Sequence, residues 1–186
     1  NVNWDTIATD YFRQNEVRPM SETNYSIIFS SKTGNTKRLA EAVHNALPQD
    51  RCDYFGDPSI ENPSSEVLYI GFWTNQGKAD DATLHLLKTL HDKKIFLFGT
   101  AGFGESDDYF QAVLNRTKES IDESNTVVGA YMCQGKMPQS VRDRYVKMKG
   151  QPNCMPNIDQ MIENFDRALS HPDEKDLEAL KKAVAE

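Results

Sequence analysis

The chain alternates short apolar runs with longer stretches in which apolar residues recur every three or four positions. Tyr25-Ser26-Ile27-Ile28-Phe29 is a β-prone run, and Lys37 to Leu47 follows with Leu39, Ala40, Val43 and Leu47 at helical spacing. Arg51 to Phe55 and Glu66 to Phe72 read as a second and third strand, the latter continuous enough to be buried on both faces. Asp80 to His91 carries Leu84, Leu87 and Leu90 on one helical stripe. Lys94 to Phe98 is strand-like, Ser106 to Ile121 is helical with Phe110, Val113, Leu114 and Thr117 on one face, and Thr126 to Cys133 supplies a fifth strand. Strands alternating with helices of this length predict βαβ units, hence an α/β fold with a parallel sheet and helices on both faces. Beyond Met137 the pattern is helical only: Pro138 to Met148, Ile158 to Leu169 and Pro172 to Ala185.

Composition narrows this picture. At 186 residues, with 38% hydrophobic and 26% charged residues, the chain is expected to form one soluble domain, and no apolar run approaches the roughly 20 residues of a membrane span. The first residues lack the apolar core of a secretory signal, so a cytoplasmic location is expected. A net charge of -7 argues against a nucleic-acid partner. Cys52, Cys133 and Cys154 suggest neither a disulfide framework nor a CxxC site, and His44, His85, His91 and His171 show no metal-ligand spacing, so no metal is expected.

The first chemical signal is Ser31-Lys32-Thr33-Gly34-Asn35-Thr36, between the first strand and the first helix. Such a turn aims backbone N–H groups and the positive helix end at one point, which suits a phosphate dianion. The hydroxyls of Ser31, Thr33 and Thr36 and the Asn35 amide add hydrogen-bonding groups, and Gly34 permits close backbone approach. The alternative is an ordinary Ser/Thr cap with a glycine turn.

At these residues the chain resembles the flavodoxin family, whose phosphate loop follows [ST]-x-T-G-x-T. The resemblance implies a doubly wound five-stranded parallel sheet of order 2-1-3-4-5, with FMN held at the carboxyl edge. It also implies two ring-binding loops. Phe72-Trp73-Thr74-Asn75-Gln76-Gly77 is the first, with Trp73 as the stacking aromatic and Gln76-Gly77 as the peptide that turns over on one-electron reduction. Gly99-Thr100-Ala101-Gly102-Phe103-Gly104 is the second, with Phe103 as the nearest match to the family's second stacking residue and Tyr109 as the lesser candidate. Cys133-Gln134-Gly135-Lys136 ends the fifth strand at the same edge as a candidate further wall. That tract, together with Gly71-Phe72-Trp73 and Ser170 to Glu174, also resembles bacterial flavodoxin-family proteins encoded beside anaerobic reductases, including bilirubin reductase.

These resemblances imply a monomeric FMN-binding carrier between donor and acceptor proteins, without a catalytic residue of its own. An NAD(P)H-dependent flavin or quinone reductase of the same fold is the alternative. Asp80, Asp81, Glu105, Asp107 and Asp108, near the ring-binding loops, are expected either to form an acidic surface that steers a basic partner or to serve their helix dipoles. Residues 1–24 are read as an extension, with Trp4, Ile7, Tyr11 and Phe12 on one helical face. Residues 25–170 are read as the FMN-binding domain and 171–186 as a charged C-terminal helix with a solvated face.

Overall fold

A computed structural model of the chain describes residues 22–104 and 106–186. The apolar face expected around Trp4 and Phe12 lies outside the described residues, as does Glu105. The strands are β1 (Tyr25–Phe29), β2 (Cys52–Gly56), β3 (Val67–Asn75), β4 (Lys78–Ala79), β5 (Lys94–Ala101) and β6 (Thr126–Gln134). The helices are α1 (Asn35–Ala46), α2 (Asp81–Thr89), α3 (Asp107–Lys118), α4 (Gln139–Lys149), α5 (Ile158–Ala168) and α6 (Glu174–Ala185). Five strands pair in parallel in the order β2-β1-β3-β5-β6, which is the 2-1-3-4-5 order once β4 is set aside. The two-residue β4 pairs antiparallel with the end of β3, a hairpin that the hydrophobic pattern does not announce.

Period-two alternation in the central strands feeds two core layers. Leu68, Ile70, Ile28 and Leu97 point to the side covered by α2 and α3. Val67, Tyr69, Ile27 and Phe96 point to the side covered by α1 and α6. The C-terminal helix is part of this second layer: Leu180 and Val184 are buried in it, so only one face of α6 is solvated. No described helix is long and apolar enough to cross a membrane.

Chain order reverses between β1 and β3, and the connections after these strands diverge to opposite faces. The carboxyl ends of neighbouring strands therefore frame a crevice. One packing detail shapes its floor. In the β3–β5 register Gly71 faces Phe98 and Phe72 faces Gly99, and a Cβ on Gly99 would lie 2.4 Å from the Phe72 ring. Each phenyl ring fills the space its glycine neighbour leaves empty.

Candidate functional site

The crevice is a cleft of about 370 Å³ at the carboxyl edge of the sheet, within the size range of small-ligand sites. Its first wall is the β1–α1 turn. Gly34 takes the left-handed conformation (φ 93°, ψ -8°) that an L side chain resists, and it offers no side-chain cap to α1. The helix therefore opens with its first-turn N–H groups uncapped by the preceding residue, apart from Lys37, whose N–H donates to Ser31 Oγ at 3.2 Å.

Thr36 and Asn35 tie this turn to the rest of the sheet edge. The Thr36 hydroxyl donates to the Phe72 carbonyl at 3.2 Å and lies 3.3 Å from the Thr100 hydroxyl, so it joins α1 to the ends of β3 and β5. This hydroxyl is already engaged, which distinguishes it from the freely exposed Thr33. Asn35 is buried, and its Nδ2 donates to the Lys136 carbonyl at 2.8 Å. Its Oδ1 has no protein partner although buried, an acceptor left open where the cleft begins.

Of the residues expected to bind, the cleft brings together Ser31, Lys32, Thr33, Asn35, Thr36, Trp73, Thr74, Thr100, Ala101 and Gly102. Lys32 Nζ sits 5.0 Å above the Trp73 ring centroid, a cation–π contact at the mouth. Gly34 shapes the turn itself, and six others lie elsewhere. Phe72 is wholly buried against Gly99 and contributes only its carbonyl, through Thr36. Asn75, Gln76 and Gly77 form the β3–β4 hairpin, whose two-residue loop has φ 51° at Gln76 and 81° at Gly77. Arg116 of α3 donates to the Gly77 carbonyl at 3.1 Å, so this peptide is fastened outside the cleft lining.

Phe103 and Gly104 line a neighbouring pocket of about 260 Å³ instead, together with Tyr109, Met161 and Asn164. Phe103 is 41% exposed and meets Tyr109 edge-on. Gly102 itself is held back by an amide clamp: Gln134 Nε2 and Asn164 Nδ2 both donate to its carbonyl, at 2.9 and 3.0 Å, and Gln134 also donates to Asn164 Oδ1. With that carbonyl turned toward α5, the 100–104 loop presents Ala101 and Gly102 to the cleft and Phe103 away from it.

The second wall comes from Gly135 and Lys136 after β6, with Met137, Pro138, Ser140, Val141 and Arg144 at and within α4. The Cys-Gln-Gly-Lys tract marks its beginning. The α4 residues carry no local signal, because their place depends on long-range ties: Asn35 to the Lys136 carbonyl, and the Lys136 N–H to the His171 carbonyl at 2.9 Å.

The acids near the ring-binding loops do not line the cleft. Asp80 is buried and caps α2 by accepting from the Thr83 N–H, while Asp81, Asp107 and Asp108 occupy the first turns of α2 and α3, where they meet the helix dipoles. The charged groups at the mouth are Lys32, Lys136 and Arg144. His171, Asp173 and Asp176 come together, but both carboxylates serve the start of α6 through a reciprocal capping box, with His171 Nδ1 2.6 Å from Asp176. Cys133 is buried beneath the second wall, and desolvation, followed by the Asp176 charge, pushes its thiol well above its ordinary pKa. It does not line the cleft.

Comparison with known proteins agrees with this geometry. The chain is 37% identical over 174 residues to the flavodoxin-like domain-containing protein BilS of Clostridium symbiosum (strain WAL-14163), covering 84% of this chain and 92% of that one. The protein of the same name from Clostridioides difficile (strain CD3) is 28% identical over 155 residues, covering 81% and 88%. Among solved structures, a short-chain flavodoxin associated with a PDU bacterial microcompartment superposes with a TM-score of 0.55 at 12% identity, covering 88% of this chain and 95% of that one. Oxidised flavodoxin 2 from Bacillus cereus gives 0.52, also at 12%, covering 87% and 95%. The model of the flavodoxin domain matches residues 26–185, and with the 2-1-3-4-5 sheet and the cleft at its switch point this places the chain in the flavodoxin family.

Proposed function

We propose that the cleft binds FMN and that the protein carries electrons between redox partner proteins, as a monomer in the cytoplasm. The observation that carries this reading is the uncapped α1 start, rich in hydroxyls and set at the topological switch point beside Trp73. The lining fits the cofactor. Ser31 and Thr33 offer hydroxyls to a phosphate, and the orphaned Asn35 Oδ1 is a buried acceptor suited to a ligand hydroxyl or N–H. Trp73 supplies an aromatic face, with Lys32 already on one side of it.

FMN, when bound, supplies one- and two-electron chemistry; the chain's own residues bind it, orient it and set its surroundings. Ser31, Thr33 and the first turn of α1 hold the phosphate. Thr36 keeps that turn joined to β3 and β5, and the Gln134–Asn164 clamp fixes the Gly102 peptide at the opposite end of the cleft. The similarity to proteins encoded beside anaerobic reductases supports a reductase as the electron acceptor.

Titration of the apoprotein with FMN and with riboflavin tests the assignment. FMN should bind at least about tenfold more tightly, since a phosphate held by several charge-assisted bonds contributes 1.4 kcal/mol or more. Equal affinities would remove the phosphate site. In a Trp4→Phe background, FMN should quench the fluorescence of Trp73. Anaerobic NADPH should leave the bound flavin oxidised, and rapid direct bleaching would identify a reductase instead.

A further inference from the structure

We propose that the cleft mouth is a docking surface for an acidic electron-transfer partner; this rests on the FMN-carrier reading above. The chain as a whole is acidic, with a net charge of -7, yet its cleft lining contains Lys32, Lys136 and Arg144 and no carboxylate. All three cations are exposed, and none makes an ion pair among the described residues. The neighbouring cations of α4 behave differently: Arg142 pairs with Asp166 and Lys149 with Asp159. Lys147 follows Arg144 by three residues on α4, with the exposed Asp143 one turn before Lys147.

Screening decides which charge a partner meets. At physiological salt the Debye length is about 8 Å, so a partner at the mouth responds to the local cations more than to acids across the molecule. Asp81, Asp107 and Asp108, at the starts of α2 and α3, lie outside the lining. An acidic face is thereby attracted. The transfer itself moves one electron from the reduced flavin to an oxidised centre of the partner, with no bond made or broken.

The sign of the salt dependence reads this field independently of driving force. Reduced holoprotein is mixed in stopped flow with ferricyanide, a trianion that gains one electron to become ferrocyanide, and separately with hexaammineruthenium(III), a trication reduced to the divalent complex. Reoxidation by ferricyanide should slow about threefold or more as NaCl rises from about 20 to about 200 mM, while the cationic acceptor should be unaffected or accelerated. Poly-glutamate, an acidic polypeptide without a redox centre, should compete with ferricyanide at low salt, and poly-lysine should not. The double variant Lys136→Glu/Arg144→Glu should reverse the ferricyanide salt slope. Salt acceleration of the wild-type ferricyanide reaction, or no competition by poly-glutamate, would overturn the proposal.

A flavin-free measurement separates this from the cofactor reading. In apoprotein carrying Trp4→Phe, Trp73 should be quenched by iodide more than by caesium, relative to free N-acetyltryptophanamide. A caesium preference would overturn the cationic mouth whether or not FMN binds, whereas an iodide preference in a protein that fails to take FMN would discard the cofactor reading alone.

Discussion

The two walls of the cleft face one another across a few side chains but are built in different ways. The Ser31–Thr36 turn is local: one strand, one left-handed glycine and one helix start place every group within six residues. The Lys136–Arg144 wall is assembled at long range, held by Asn35 on one side and the His171 carbonyl on the other. A local device can be read from a motif, and it tolerates change elsewhere in the chain. An assembled wall depends on contacts that a linear pattern does not contain.

The largest effect should come from cutting the tie between them. Asn35→Leu removes the 2.8 Å bond to the Lys136 carbonyl, leaves that carbonyl without its donor and presses a branched side chain toward Gly135. A loss of about 1–3 kcal/mol in stability is expected from the unpaired group, read as a lower urea midpoint. FMN affinity should fall about tenfold or more with it, because the same change deletes the open Oδ1 acceptor. Unchanged affinity would mean that the second wall stands without the first.

A smaller effect should follow from straining the local wall alone. Gly34→Ala meets no atom within 4 Å, so its penalty is purely conformational at φ 93°. About 1–2 kcal/mol is expected, carried either as reduced stability or as a shifted turn with weaker FMN binding. Riboflavin affinity should change less than FMN affinity if the turn holds the phosphate as proposed. Equal losses for both ligands would place the turn nearer the ring than the phosphate.

The same contrast explains what the sequence disclosed. The alternation of strands and helices and the helix faces are legible because each rests on periodicity, and the Ser31–Thr36 turn because it is a short contiguous motif; the strand order follows from the family resemblance and not from the pattern. The sequence alone does not separate Phe72 from the rest of its loop, because an aromatic at a strand end gives no sign that Gly99 stands beside it in the next strand and receives its ring. Gln76-Gly77, the peptide that the resemblance expects to turn over on one-electron reduction, is also the two-residue loop of a hairpin, a signal that a loop ending in glycine equally carries, and Arg116 donates to its Gly77 carbonyl. The Lys136–Arg144 wall gave only its first residues away, since α4 presents no motif and its position is settled by residues more than a hundred places earlier in the chain.

The amide clamp offers a milder test, because it acts on one peptide rather than on a whole wall. Asn164→Ala removes one of two donors to the Gly102 carbonyl and leaves Gln134 in place. The expected cost is about 1 kcal/mol in stability. The reduction potential of bound flavin should shift while phosphate-dependent discrimination between FMN and riboflavin stays as it was. Asn164→Asp keeps the acceptor for Gln134 but loses the donor to Gly102, so it should resemble Asn164→Ala if the bond to the carbonyl is what matters.

The smallest effect at neutral pH concerns Cys133, buried on β6 where the second wall begins. Burial raises its thiol pKa, the Asp176 charge adds to that, and a hydrogen bond with Tyr131 and the Arg38 charge only partly oppose it. In the unfolded chain the thiol titrates near its ordinary value of about 8.5. Below that value the sulfur is protonated in both states, and it places no pH dependence on folding. Above it the unfolded chain releases a proton that the folded chain retains, so stability falls as pH rises, by up to about 1.4 kcal/mol per pH unit for this one group. Urea midpoints should therefore be flat between about pH 7 and 8 and should decline above about pH 8.5. Tyr25 and Tyr131, also raised by burial, should join the decline as their unfolded phenols ionise near pH 10. Cys133→Ala should lessen the slope between about pH 8.5 and 10 and leave the flat region flat. If the slope in that window is the same with alanine, the Cys133 thiol ionises as readily in the folded protein as in the unfolded chain, and the strand beneath the second wall is open to water.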